Sequence, residues 1–344
     1  MKNENITLDD GGGGLKSSEI VRDIRQVLRF TGQWNNCQDD AALFNLGNGK
    51  KLVFTTDAFI VSPLFFAGGD IGKIAICGTI NDLAVMGAKP IGISLSIVME
   101  EGFSKKDFEK ILKSINKISR QTGVPIVTGD TKVTEKGKID KIEITTAGVG
   151  LVKNEDVIKN NGIKNGDYII ASGDLGEHAI TLLATRFNYR TKIKSDCQPL
   201  VEELEKTKKY LNACKDPTRG GLAANLVEMA EKSGVQIILN EENLPYKKET
   251  KAVSELLGID IFSLASEGRF IASVSPKNIN KVLKILQKFN KEAKIIGRAW
   301  RISGQTNQTQ KVKNKKEVGV FLKTELGSLR KIEMPKGKLI PRIC

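Results

Sequence analysis

The spacing of apolar residues changes repeatedly along the chain, and each change marks an element. In "KSSEIVRDIRQVLRF", Ile20, Ile24, Val27 and Leu28 recur at helical spacing, so a helix is predicted after the glycine-rich start. "DDAALFNL" and "KLVFTTDAFIV" around "GNGK" predict two strands joined by a turn. "GDIGKIAICGTINDLAVMG" places Ile71, Ile74, Ala75, Ile80, Leu83 and Ala84 on one helical face, with Asn81 and Asp82 in its last turn. "KPIGISLSIVME" predicts a long strand, and "SKKDFEKILKSINKISRQTG" an amphipathic helix opened by a capping box at Ser104 and Asp107. "VPIVTGDTKV" is expected to run from a buried strand into a loop, and "KIEITTAGVGLV" to close this half as a strand.

The second half repeats the grammar. "GDYIIASGD", "VQIILN", "GRFIASVS" and "AKIIGRA" read as strands, and "RGGLAANLVEMAEKSG", "KAVSELLG" and "NINKVLKILQKFN" as helices. The expected organisation is a glycine-rich segment and helix at 1–35, mixed strand-and-helix domains at 36–152 and 153–323, and a mobile tail at 324–344, too broken by Gly and Pro to be a domain. A chain of 344 residues is long enough for two such cores.

Composition narrows the classes. The first residues lack an apolar targeting core, and no stretch approaches the roughly 18 apolar residues of a membrane span, so a cytoplasmic protein without a membrane partner is expected. The five cysteines occur singly, without a CxxC pair, which argues against a cysteine metal site or a disulfide framework. The formal charge of +14 comes from scattered lysines, and only four Tyr and two Trp are available to stack bases. A solvated basic surface is therefore expected rather than a nucleic-acid partner, with Lys311, Lys313, Lys315 and Lys316 in an exposed loop.

Aspartates recur at element ends: Asp40 in "QDDAALF", Asp57 in "TTDAF", Asp82 in "TINDLAV" and Asp130 in "TGDTKV". Singly these are turn formers or caps. Together they are the hard oxygen ligands that a Mg²⁺ ion bridging phosphates needs, which suggests nucleotide chemistry. No GxxxxGK[ST] is present, but Gly11 to Gly14 could fold over a phosphate with backbone N–H groups. Asp216 and Thr218 precede the Gly-Gly that opens a helix, a place favourable to an anion. Lys132 shares a loop with Asp130, and Glu267 stands just before a strand; the lone histidine, His178, reads as structural. The chain closes on "KLIPRIC" with the thiol of Cys344, an unusual place for a structural cysteine.

Taken together, "TTDAFIVSPLFFAGGDIGKIAICGTINDLAVMGAKP", "GDTKV", "GDLGEHAI", "DPTRGGL" and "PRIC" resemble the HypE family of hydrogenase expression/formation proteins, over nearly the whole length. The first motifs are also similar to the wider superfamily of aminoimidazole ribonucleotide synthetase, selenophosphate synthetase and thiamine-monophosphate kinase. The resemblance implies an α+β, two-domain PurM-like (AIR synthetase-like) fold with a flexible tail. It implies that the carbamoyltransferase HypF carbamoylates Cys344, that ATP then drives dehydration of the S-carboxamide to a thiocyanate, and that the cyano group passes to iron on a HypC–HypD complex.

By the same resemblance Asp40, Asp57, Asp82 and Asp130 hold Mg²⁺ and ATP, Asn81 lies beside them, and Gly13 and Gly14 cover the nucleotide. Lys132 and Glu267 are the candidate groups for stabilising the phosphorylated amide and accepting a proton. Homodimerisation through the N-terminal domains is likewise implied. A tail of 21 residues would reach at most about 70 Å, and Pro341 would keep its end extended. Asp10 stands where the family's glycine loop carries histidine, an unfavourable neighbour for phosphate unless it faces a cation. Ala67 replaces a common proline and Ala179 a usual glycine. Two other classes stay open on the residues alone: an ATP-dependent synthetase or kinase acting on a free small molecule, and a basic binding module without turnover.

Overall fold

The computed structural model describes residues 5–28, 31–302, 317–336, 340 and 342–344. The lysine run at Lys311 to Lys316 and Pro341 lie outside the described residues.

In the first half, α1 (Gly14–Val27) precedes β1 (Trp34–Asn35), β2 (Ala42–Gly47) and β3 (Lys50–Phe59). A short hairpin, β4 (Phe65–Phe66) and β5 (Gly69–Asp70), leads into α2 (Ile71–Val85), followed by β6 (Lys89–Glu100), α3 (Lys105–Thr122), β7 (Ile126–Thr134) and β8 (Ile142–Lys153). Six of these strands form one sheet in the order β1-β2-β3-β8-β6-β7. In β8, Ile142, Ile144, Thr146, Gly148, Gly150 and Val152 are buried while the residues alternating with them are not, so the sheet has one inner face. Helix α2 lies on that face. Asp70 caps it by accepting from Lys73 N at 3.0 Å, and Ser104 caps α3 in the same way through Asp107 N.

The expected single apolar face of α2 proves too narrow, because the helix is buried around almost its whole circumference between the sheet, α3 and the second half. A side chain on Gly148 of β8 would meet Thr79 Cγ2 at 2.7 Å, so glycine is what lets the helix lie this close.

The second half contains β9 (Tyr168–Ala171), α4 (Glu177–Arg186), α5 (Val201–Thr207), β10 (Leu211–Lys215), α6 (Gly221–Ser233), β11 (Val235–Asn240), α7 (Lys248–Leu257), β12 (Ile271–Val274), α8 (Ile279–Leu286), β13 (Lys294–Arg301), β14 (Gly319–Lys323) and β15 (Leu329–Ile332). Its seven strands run in the order β10-β12-β9-β13-β11-β14-β15. Among the described residues no helix is long and apolar enough to cross a membrane.

Two expectations need correction. "VPIVTGDTKV" does not break into a loop: β7 continues through Asp130 and Lys132 to Thr134, because its parallel pairing with β6 runs on to Glu100. The strand is an exposed edge rather than a buried one. The segment after Thr324 is not a free tail from its start. Val320, Leu322 and Ile332 alternate into the core, so β14 and β15 form a hairpin that β14 joins to β11. Only about a dozen residues follow Ile332, which shortens the reach of Cys344 to about 40 Å.

Candidate active site

Three carboxylates that are far apart in sequence converge where the halves meet. Asp40 precedes β2, Asp82 sits in the last turn of α2, and Asp216 follows β10; one oxygen from each lies within 4.8 Å of the others. The Thr55 hydroxyl of β3 lies 2.8 Å from Asp82 Oδ2 and 2.9 Å from the Asp40 carbonyl. Asp57, on the same inner face, accepts from Thr79 at 3.4 Å. Lys215 pairs with Asp40 and lies 3.7 Å from Glu228.

Lys215 and Arg219 compensate the acidic charge here only in part. Burial raises the carboxyl of Asp40 in spite of Lys215, and raises Asp57 in spite of Arg219. Burial together with the neighbouring aspartates pushes Asp82 well above the usual carboxylate range and Asp216 up to about 7. Asp40 Oδ2 is buried and has no hydrogen-bond partner among the described residues. Converging oxygens, an orphaned acceptor and raised carboxyls are what a hard divalent cation would satisfy, so the donor set fits Mg²⁺.

From this cluster a cavity of about 700 Å³ opens beneath α1, lined by Gly13, Gly14, Ser17, Lys215 and Arg219 as well as the aspartates. Asp10 lines it too, with its charge turned to local use. Its Oδ2 accepts from the backbone and the hydroxyl of Thr7, both at 2.6 Å, and these bonds hold its carboxyl below the usual range. The glycine loop is thereby closed by an aspartate rather than left facing phosphate. Gly13 caps α1 at φ +92°, and a Cβ there would stand 2.9 Å from Arg219 Cβ. Gly13→Ala is expected to cost about 1–3 kcal/mol and to weaken nucleotide binding, read as a lower Tm and a smaller ATP-induced shift.

Cys344 reaches the same place from the other side. Ile60 N donates to its carbonyl and Ser62 N to that of Arg342, both at 3.1 Å, so the segment lies along the chain that leaves β3. Ile343 is buried in the first core and Cys344 packs against it. The sulfur sits in the field of Glu267, Arg219, Asp57 and Asp216, and burial with Glu267 pushes the thiol up to about 12. A docked Cys344 is thus a protonated, poor nucleophile. Glu267 is buried with Oε1 unpartnered, and burial followed by nearby acidic groups raises its carboxyl well above the usual range, with Arg219 opposing.

The other expected residues fall elsewhere. Asn81 is buried beside Asp82, but its amide lies 3.0 Å from the Gln198 carbonyl and 3.3 Å from that of Glu267, and its oxygen accepts from Leu200 N at 2.8 Å. It holds the loop that carries Glu267. Asp130 and Lys132 form an ion pair at 2.8 Å with side chains 61% and 71% exposed. In register they share rows with Ser96 and Val98, on the face of the sheet opposite Asp57, so one chain does not bring them to the cluster. Sequence reasoning missed Lys215, Arg219 and Thr55. The first two flank Asp216 in "KDPTRGG", a motif already singled out, but which side chains turn inward there is decided by the fold.

Residues 38–152 match the AIR synthase related protein N-terminal domain, and residues 164–301 its C-terminal domain. The chain is 41% identical to a putative hydrogenase expression/formation protein of Methanocaldococcus jannaschii, over 98% of this chain and 99% of that protein. It is 36% identical to the carbamoyl dehydratase HypE of Cupriavidus necator, over 100% of this chain and 96% of that protein. Among solved structures, a HypE–HypF complex superposes with a TM-score of 0.82 at 36% identity, covering 92% of this chain and 99% of that one. A HypE in complex with ATP superposes with a TM-score of 0.80 at 32% identity, covering 99% of this chain and 100% of that one.

Proposed function

Because the chain belongs to the HypE carbamoyl dehydratases of the AIR synthase related family, we propose that Cys344 carries an S-carboxamide into the cavity beneath α1 for ATP-driven dehydration to a thiocyanate. The role is in hydrogenase maturation, supplying cyanide ligands for the hydrogenase iron. The observation that carries the reading is the convergence of Cys344, Glu267 and Arg219 with the carboxylate cluster.

The chemistry follows from the poor leaving group of an amide. Transfer of the γ-phosphoryl group to the carboxamide oxygen, with loss of one N–H proton, gives an O-phosphorylated imidate. Loss of the second N–H proton and departure of phosphate leave S–C≡N on the sulfur, with ADP as the other product. Asp40, Asp82 and Asp216, with Asp57 beside them, would hold Mg²⁺, which neutralises phosphate charge and orients the nucleotide. Arg219 is placed to face developing negative charge near the sulfur, and Glu267, with its raised carboxyl, is the candidate proton acceptor. Gly13 and Gly14 cover the nucleotide.

The high pKa of the docked thiol suits this division of labour. Cys344 does not attack a carbamoyl donor here; it arrives already carbamoylated, with HypF as the donor and HypC–HypD as the acceptor of the cyano group. The outer face of the first sheet supports a homodimer: Val127 is 62% exposed on its edge, with Phe54 and Ile91 also uncovered. Lys132 lies on that side, so a role for it beside Glu267 would be played by the Lys132 of a second copy. That all five cysteines are free supports a reducing, cytoplasmic setting for the reaction.

The test is mass spectrometry of the intact protein and its last peptide after HypF and carbamoyl phosphate, then MgATP. A carbamoyl adduct on Cys344 that loses one water only when ATP is added supports the reading; an unmodified Cys344 with continued ATP hydrolysis overturns it. Glu267→Gln is expected to slow the water loss by about 10²–10⁴ while sparing MgATP binding, and Lys132→Ala to slow it less. Full dehydration in both would remove these assignments.

A further inference from the structure

The fully buried imidazole of His178 has no part in the chemistry above, yet it touches the tail. Its Nε2 lies 2.7 Å from the carbonyl of Ile343, and its Nδ1 lies 2.8 Å from Ser195 Oγ. A carbonyl can only accept, so Nε2 carries the proton, Nδ1 accepts, and the Ser195 hydroxyl donates. That hydroxyl accepts in turn from Cys197 N at 3.1 Å, which fixes its direction. Burial depresses the imidazole to a pKa of about 4, so this tautomer persists at neutral pH. Two turns further along α4, Arg186 donates to the carbonyls of Ser62 and Arg342, each at 2.6 Å. Helix α4 thus grips two successive tail carbonyls, 342 and 343, immediately before the reactive cysteine.

We propose that His178, oriented by Ser195, is the positioning residue that sets the register in which Cys344 enters the site, and that it releases the tail each time the thiol leaves to be carbamoylated. The grip is on backbone, so it fixes where the sulfur stands whatever group the sulfur carries. When the tail leaves, the His178 Nε2–H and the Arg186 Nη2 donor lose their partners while Arg186 Nε keeps Ser62, and unsatisfied donors favour the return. An ordinary core histidine would be satisfied by its own domain at both nitrogens; the Nε2–H of His178 is satisfied by a segment 165 residues away that must come and go.

The inference rests on Cys344 being the carrier, and the test separates the two. In the full-length protein, Cys344 alkylation by N-ethylmaleimide is followed by peptide mass spectrometry, beside single-turnover water loss from carbamoylated Cys344 at saturating MgATP. His178→Phe is expected to speed alkylation and slow water loss, each by about tenfold, with MgATP affinity unchanged. His178→Gln, which restores a donor, should recover most of both. A folded His178→Phe variant with wild-type alkylation and water loss overturns the proposal. If that variant fails to fold, Ser195→Ala decides: faster alkylation supports the register role, and wild-type protection refutes it. If carbamoylated wild type never loses water with ATP, the carrier reading fails, while the alkylation comparison still judges the grip.

Discussion

Cys344→Ser is expected to abolish the reaction altogether while leaving MgATP binding intact. The variant removes only the sulfur at the end of the docked segment; the carboxylates, Lys215 and the glycine loop that line the cavity are untouched. A serine hydroxyl is a far weaker nucleophile than a thiol, so no carbamoyl group is acquired and no S–C≡N can form. The measurement is the mass of the last peptide after HypF, carbamoyl phosphate and MgATP, beside an independent titration of nucleotide binding. No carbamoyl adduct and no water loss, with normal nucleotide affinity, is the expected pair. Undiminished turnover of a free substrate by the variant would show that the tail is not the carrier, and would favour a small-molecule synthetase or kinase.

Asp82→Asn should separate stability from activity. Asp82 is buried among Asp57, Asp216 and Asp40 and accepts a hydrogen bond from Thr55. Without a cation, the amide removes a buried like charge and keeps similar shape. The metal-free protein is therefore expected to gain about 1–3 kcal/mol, or roughly 2–6 °C in Tm. Dehydration should fall by on the order of 10²–10³, because one of the carboxylates that would hold the proposed Mg²⁺ is lost. The Mg²⁺-induced rise in Tm, which wild type should show, should shrink. An active-site carboxylate whose removal stabilises the protein is the expected cost of a site built for a missing charge. A variant that is less stable and fully active would mean that Asp82 is a structural hydrogen-bond acceptor.

The strongest local signals in the chain were right about type and imprecise about surroundings. Ser104 and Asp107 mark the start of α3, and runs of strand-forming residues mark β3 and β8, because caps and such runs are set within a few residues. The same local logic misjudged α2, whose burial on nearly all sides depends on neighbours distant in sequence. It also misread "GDTKV" as a loop, since Gly and Asp are turn formers by habit; pairing with β6 overrode them. The segment after Thr324 is short and broken by Gly and Pro, so its hairpin could be recognised only once β11 offered an edge to join.

Within the site, the residue types and motifs were legible, and their resemblance to one family pointed to ATP and a carrier thiol before any fold was considered. Spatial grouping was not. Asp40 and Asp82 belong with Asp216, which had been read as part of an anion site, while Asp130 turns to the opposite face of its sheet. That difference is one of register: a strand alternates its side chains, and which parity faces the core depends on the whole sheet. The residues alone pointed to the two-domain α+β class, the acidic, nucleotide-directed chemistry and the candidate carrier thiol. Packing was needed to show that Lys215 and Arg219 complete the cluster, that Glu267 is desolvated beside Cys344, and that His178 grips the tail. These depend on burial and on distances between residues far apart in the chain, and neither exists until both halves have packed together.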